Sequence, residues 1–346
     1  MGPKRKRRWL RRLAALLVVW VYVAVVTRIE RDRLAPPLPG GGPPGSALDQ
    51  PAILDDLRSL SSPVFEGRRT GTPGGLKARA YVTERFRAAG LDSLNGSFLQ
   101  PFSFVHRSIR ALWHRDRPFQ MTFSDAANVI GYLPGASNGG PCLVLSAHYD
   151  HLGVRDGSVY PGADDNASGV AALLGVARYL KLHPPNHCIV FAAFDAEELG
   201  LRGSRRFVER PAIPLDRVAF NLNLDMISRS EDSSLVAAGT LQQPALHPYL
   251  VEVAARTPVK LRLGHDRPWY RAGLVPDWTE SSDHAPFHDR GIPYLYLGVE
   301  NHPDYHRPTD TFERVDQGFY LQVAELILDL TQVLDANLDQ IAGKGK

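Results

Sequence analysis

Five short polar motifs carry the side chains of this chain that could do chemistry. They are His148-Tyr149-Asp150-His151, Pro161-Gly162-Ala163-Asp164-Asp165-Asn166, Asp195-Ala196-Glu197-Glu198, the single Asp225, and Tyr305-His306-Arg307-Pro308-Thr309-Asp310. Each has an ordinary explanation when taken alone. A histidine at a strand end is usually structural, Asp165 or Asn166 could cap a following helix, and a Glu-Glu pair usually faces solvent. Their coincidence is harder to explain. Carboxylates gathered at the ends of buried strands repel one another and lose hydration. A pair of divalent cations resolves that repulsion, because three carboxylates and one hydroxide balance their four positive charges. Mixed imidazole and carboxylate ligands suit zinc, and cobalt or manganese also fit.

The elements around these motifs place them together. Apolar runs at Asn128–Leu133, Cys142–Ala147, Cys188–Phe194, Ala219–Leu224 and Tyr294–Val299 read as strands. Several are hydrophobic almost throughout, as strands buried on both faces are. Helical patterns lie between and around them, at residues 75–89, 168–182 and 318–341. Alternating strands and helices predict an α/β chain: a three-layer α/β/α sandwich with a central mixed, mostly parallel sheet. The first two strands, joined by the turn PGASNGGP, are expected to pair antiparallel. In such sheets ligands bind at the carboxyl ends of the strands, which is where four of the five motifs stand.

The stretches HYDHLG, GADDNASG, FDAEELGLRGS, LNLDMI, SSDHAPF and YHRPTDT resemble, in order and spacing, the co-catalytic di-zinc aminopeptidases. That family includes the secreted bacterial leucyl aminopeptidases and, more distantly, glutamate carboxypeptidase and glutaminyl cyclase. The similarity runs from about residue 65 to the final helix. It implies a zinc metallopeptidase that hydrolyses the N-terminal bond of peptides with a free amino terminus. By motif, it implies that His148 and Asp225 bind one zinc, that Glu198 and His306 bind the other, and that Asp164 bridges them through a cis Asp164–Asp165 peptide. Glu197 is expected as general base and Tyr305 as an oxyanion donor. Asp150, Asp165 and Asp283 are expected just behind the ligands. His151 and His284 are expected to line the pocket, and His302 to be structural. Met226 and Ile227, beside Asp225, favour apolar substrate side chains. A single-zinc glutaminyl cyclase and a metal-free binding ectodomain are the competing readings. Both are disfavoured by a complete ligand set.

The rest of the chain sets compartment and partners. Residues 1–34 hold ten of the 40 Lys and Arg, and removing them with Glu30 and Asp32 leaves 30 basic against 35 acidic residues. The body is therefore mildly acidic, with no electrostatic footprint for nucleic acid. Residues 1–12 form a basic tail, expected to be cytoplasmic. Residues 13–27 are free of charge and read as a membrane anchor or signal segment. At roughly 22 Å of helix this run is short of a bilayer core, a deficit that Trp9, Leu10 and snorkelling Arg12 and Arg28 could cover. The charge bias orients the body away from the cytoplasm, in the periplasm or outside the cell, and secreted if the segment is cleaved. Residues 28–46, rich in Pro and Gly, read as a spacer, and residues 47–346 as the catalytic domain. Cys142 and Cys188 each open an apolar run and are expected as two buried thiols.

Overall fold

The computed structural model describes residues 36–41, 46–107, 120–136, 139–267 and 275–343. The basic tail, the 13–27 segment and most of the Pro/Gly stretch lie outside the described residues. Among the described residues no helix is long and apolar enough to cross a membrane.

A nine-stranded sheet forms the middle layer. Its centre is four parallel strands in the order β7 (Cys188–Phe194), β4 (Cys142–His148), β8 (Val218–Leu224) and β11 (Tyr294–Gly298). Beyond β11 lie β9 (Ser234–Ala238), antiparallel to it, and β10 (Lys260–Leu263), parallel to β9. Beyond β7 lies the long β3 (Gln120–Leu133), antiparallel to β7 and carrying β1 (Asp92–Ser93) and β2 (Leu99–Arg107). A separate hairpin pairs β5 (Gly153–Arg155) with β6 (Ser158–Tyr160).

The continuous hydrophobicity of the central strands is explained by layers on both faces. Leu143, Leu145 and Ala147 of β4 point into the larger core. That core is built by α1 (Gln50–Leu60), α2 (Pro73–Ala88), α3 (Gly169–Leu182), α5 (His247–Ala254) and α7 (Gln317–Ala336). Cys142 and Val144 point the other way, into a smaller core with Phe207 and Val208 of α4 (Arg202–Glu209) and Phe287 of α6 (Ala285–Asp289). The apolar stripe at 318–341 is divided between α7 and α8 (Leu338–Gly343), with Asn337 between them.

Three expectations are corrected. The sheet is mixed, but β3 and β4 do not pair: β7 lies between them, antiparallel to β3 and parallel to β4. The cysteines are not free thiols. Parallel register sets Cys142 directly opposite Cys188, with Cα atoms 4.7 Å apart, and they form a disulfide. Part of the Pro/Gly stretch is bound to the body rather than free. The Leu38 amide donates to Leu261 O at 2.9 Å on edge strand β10, and its side chain packs on the larger core. Gly41 passes so close to Ala255 O that a Cβ would meet it at 1.8 Å. The body is then tied in at Ala47 and Leu48, whose amides donate to Glu325 Oε1 on α7.

Candidate metal centre

The polar motifs meet at the carboxyl ends of the parallel strands because four of the five come after one. His148 is the last residue of β4. Asp195 follows β7, and after Ala196, at φ +59°, come Glu197 and Glu198, which line the cavity. Asp225 follows β8, and Tyr305 and His306 lie on the loop after β11.

Two groups of side chains there could hold an ion: His148, Asp165 and Asp225, and His151, Asp165 and Glu198. His148 Nε2 lies 3.4 Å from Asp165 Oδ1 and 3.2 Å from Asp225 Oδ1. On the other side, His306 Nε2 lies 3.0 Å from Asp165 Oδ2 and 3.3 Å from Glu198 Oε1. His151 Nδ1 is 2.9 Å from the same Glu198 oxygen. Tetrahedral zinc with bonds of about 2.0–2.1 Å sets its ligands about 3.3 Å apart, so these separations are the edges of such a shell. Donor type and spacing fit two zinc ions with one shared carboxylate.

The carboxylate common to both groups is Asp165, not Asp164, which the resemblance implies as the bridge. Asp164 turns away. Its Oδ1 accepts from Ser228 N at 2.7 Å and Ser228 Oγ at 2.8 Å, and its Oδ2 faces His302 Nε2 at 3.0 Å. Adjacent residues in an extended turn point to opposite sides, and two consecutive aspartates leave the choice open until the loop is placed. The cis bond likewise joins Asp165 to Asn166, not Asp164 to Asp165. Of the two capping candidates, Asn166 does the capping: its Oδ1 accepts from Gly169 N at the start of α3, and its Nδ2 donates to Leu224 O.

Asp150 meets His148 through its backbone rather than its side chain. Its backbone carbonyl, at 3.1 Å, accepts from His148 Nδ1, while its carboxylate is 3.7 Å from that nitrogen. The carboxylate instead accepts the Glu197 amide at 3.0 Å and fixes the Glu197 backbone. With Nδ1 donating, the Nε2 lone pair of His148 faces Asp165 and Asp225, as a metal ligand requires. Asp283 is fully buried behind the site. Burial lifts its carboxyl to about 6 against the opposing pull of His148.

Of the remaining supports, Asp310 and Ser282 lie inside motifs visible in the sequence without their roles being legible there, and Arg68 lies outside the polar motifs. Arg68 has no exposure, sits at φ +51°, and donates to the carbonyls of Leu60, Tyr149, Pro161, Gly162 and Asp165. It is a buried cation gripping the loop that delivers Asp165. Asp310 receives the Asp164 and Asp165 amides at 3.0 and 3.1 Å. Ser282 Oγ donates to Asp225 Oδ2 at 2.6 Å and accepts from Asn223.

Protons follow this crowding. Burial pushes Glu197 well above the usual carboxylate range, His148 opposes, and Asp225, Glu198 and Asp283 add to the rise. His306 is drawn up to about 10 by Asp165 and Glu198, which outweigh its burial. His148 is raised in the same way, chiefly by Asp225. Without ions the imidazoles supply the positive charge the carboxylates need. Tyr305, stacked on His306 at 3.9 Å, is raised by burial and the surrounding carboxylates, so its hydroxyl keeps its proton. The site opens into a cavity of about 360 Å³ whose walls include Glu197, Leu201, Met226 and Tyr305.

Comparison with known proteins identifies the family. The profile of Peptidase family M28 matches residues 128–331. Aminopeptidase YwaD of Bacillus subtilis is 34% identical over 215 residues, 60% of this chain and 44% of that protein. The chain thus spans less than half the length of that relative. A probable zinc metalloprotease of Pyrenophora tritici-repentis is 25% identical over 92% of this chain and 73% of its own length. Among solved structures, a Bacillus subtilis zinc aminopeptidase superposes with a TM-score of 0.61 at 20% identity, over 85% of this chain and 95% of that one. Porphyromonas gingivalis glutaminyl cyclase gives 0.62 at 18%, over 83% and 99%. Both share the fold.

Proposed function

Because the chain belongs to peptidase family M28, we propose that it is a two-zinc aminopeptidase acting on peptides with a free N-terminus. The observation that carries this reading is Asp165, within 3.0–3.4 Å of an imidazole on either side. The first ion would be held by His148, Asp165 and Asp225, and the second by Asp165, Glu198 and His306, with His151 next to Glu198. When bound, the ions would supply an acidified water and a polarised scissile carbonyl.

The chain's own groups do the rest. Glu197 stands in the cavity wall without belonging to either ligand group, so its carboxylate is free to take the water's proton and pass it to the leaving amine. The Asp150 carboxylate holds the Glu197 amide and so steadies the base. Tyr305 keeps its phenolic proton and can donate it to the oxyanion. The five carboxylates and imidazoles implied by two ions are all present, which disfavours a one-zinc cyclase.

We place the body outside the cytoplasm, behind an N-terminal anchor at 13–27. The Cys142–Cys188 disulfide supports this, because such bonds persist in oxidising compartments.

Glu197→Gln tests the proposal. The variant should keep two zinc ions per chain and lose about 10²–10⁴-fold in kcat on leucine p-nitroanilide. Turnover near the wild-type rate overturns the assignment of the base. A wild-type chain that cyclises N-terminal glutamine with one ion overturns the peptidase reading.

A further inference from the structure

We infer that Glu280 gives the cavity a fixed negative charge beyond those the ions neutralise, and that it selects substrates whose N-terminal residue is lysine or arginine. This inference rests on the aminopeptidase reading and names the substrate class of the same site.

Four carboxylates beside the ion positions line the cavity: Asp165, Glu197, Glu198 and Asp225. Two divalent ions and one hydroxide balance Asp165, Glu198 and Asp225, and Glu197 is the base that takes the water's proton. Glu280 lines the same cavity, is exposed, and makes no ion pair or hydrogen bond among the described residues. It is a fifth carboxylate, left for something that enters the cavity.

Its position is set by the residues on either side. Trp278 stacks on the His265 ring at 3.8 Å and 5°, and its amide donates to His265 O. The Trp278 carbonyl takes the Ser281 amide at 3.1 Å and faces His284 Nε2 at 2.8 Å. Two residues after Glu280, Ser282 Oγ donates to Asp225 Oδ2 at 2.6 Å. The backbone under Glu280 is therefore tied on one side to an aromatic stack and on the other to a ligand group. The backbone that carries the charge is thus held in place beside the site, and the carboxylate on it is free to meet what enters.

The other walls suit the stem of a long cation. Leu201 and Met226, 8% and 6% exposed, add apolar side chains to the cavity wall. Lysine and arginine lay their methylenes along such surfaces and keep the charged head in water or against a carboxylate. This refines the apolar preference expected from Met226: the stem is apolar, the tip is not.

The test compares lysine with norleucine, its uncharged analogue, as 7-amido-4-methylcoumarin substrates of the zinc-loaded chain. The wild type should favour lysine in kcat/KM by roughly five- to tenfold at low salt, and by less in 0.5 M salt as screening grows. Glu280→Gln should bring the ratio to about one; the exposed site makes the fold tolerant of the change. Calorimetric binding of free L-lysine and L-norleucine provides a readout without turnover. Equal use of the two substrates by the wild type, or a ratio untouched by Glu280→Gln, overturns the inference. Hydrolysis of norleucine with no lysine preference sinks Glu280 alone. Tighter binding of lysine with no hydrolysis sinks the peptidase reading and keeps the charged wall.

Discussion

Exchanging aspartate for asparagine at positions 164 and 165, one at a time, separates two roles that the sequence cannot. In Asp165→Asn an oxygen is lost from the group that faces His148 on one side and His306 on the other. Removing a mere support of a metal ligand weakens metal affinity about 10–100-fold, so loss of a ligand shared by two ions should weaken each by at least 100-fold. The consequence is readable as stability. Zinc at 100 times the wild-type Kd stabilises the fold by about 2.7 kcal/mol per independent site. With Kd raised 100-fold, the same zinc concentration yields only about 0.4 kcal/mol. Asp164→Asn should behave in the opposite way. It keeps an oxygen for Ser228 but presents an amide to His302 Nε2, losing one charge-assisted hydrogen bond worth about 1.5–3 kcal/mol. Its baseline stability should fall while its zinc-dependent increment matches the wild type. Denaturant titrations with and without zinc, together with elemental analysis after dialysis, measure both quantities. If Asp165→Asn keeps the full zinc increment and Asp164→Asn loses it, the argument from the geometry is wrong.

Two further outcomes follow from the buried charges. Arg68→Ala strands four carbonyl acceptors, those of Leu60, Tyr149, Pro161 and Asp165, while Gly162 O keeps the Ala167 amide, and at about 1–3 kcal/mol for each unsatisfied group the protein should lose at least about 4 kcal/mol; an unfolding free energy within about 1 kcal/mol of wild type would contradict this. In chelator-treated protein, stability should fall as pH rises from about 4 to 6. Asp283 and Asp310 hold their protons to about 6 in the fold but release them near 3.8 when unfolded, so the folded state binds more protons across that window. Each contributes up to about 3 kcal/mol. The raised His306 carries the same sign of dependence further, between the ordinary histidine value and about 10. A chelated protein that grows more stable from pH 5 to 7 would refute it.

Much of this protein was legible in its sequence because the signals were local. Uninterrupted apolar runs such as Cys188–Phe194 require cover on both faces, so the three layers follow from hydrophobicity alone. The helix periods at 75–89 and 168–182 matched α2 and α3 closely, because an amphipathic stripe is written in consecutive residues. The motif residues at strand ends converge because all the parallel strands end on one side. Other features depended on residues far apart in the chain. The strand that separates β3 from β4 is drawn from 55 positions downstream of Leu133, and the same register makes a disulfide of two cysteines that read as thiols. Asp164 and Asp165 are chemically identical, and only the loop held by Arg68, Asp310 and Asn166 decides which of them faces the ion positions. Composition and periodicity determined the layers and the chemistry gathered at one end; direction, register and the choice between adjacent identical side chains were decided by long-range packing, because a side chain's heading depends on what its backbone is bonded to.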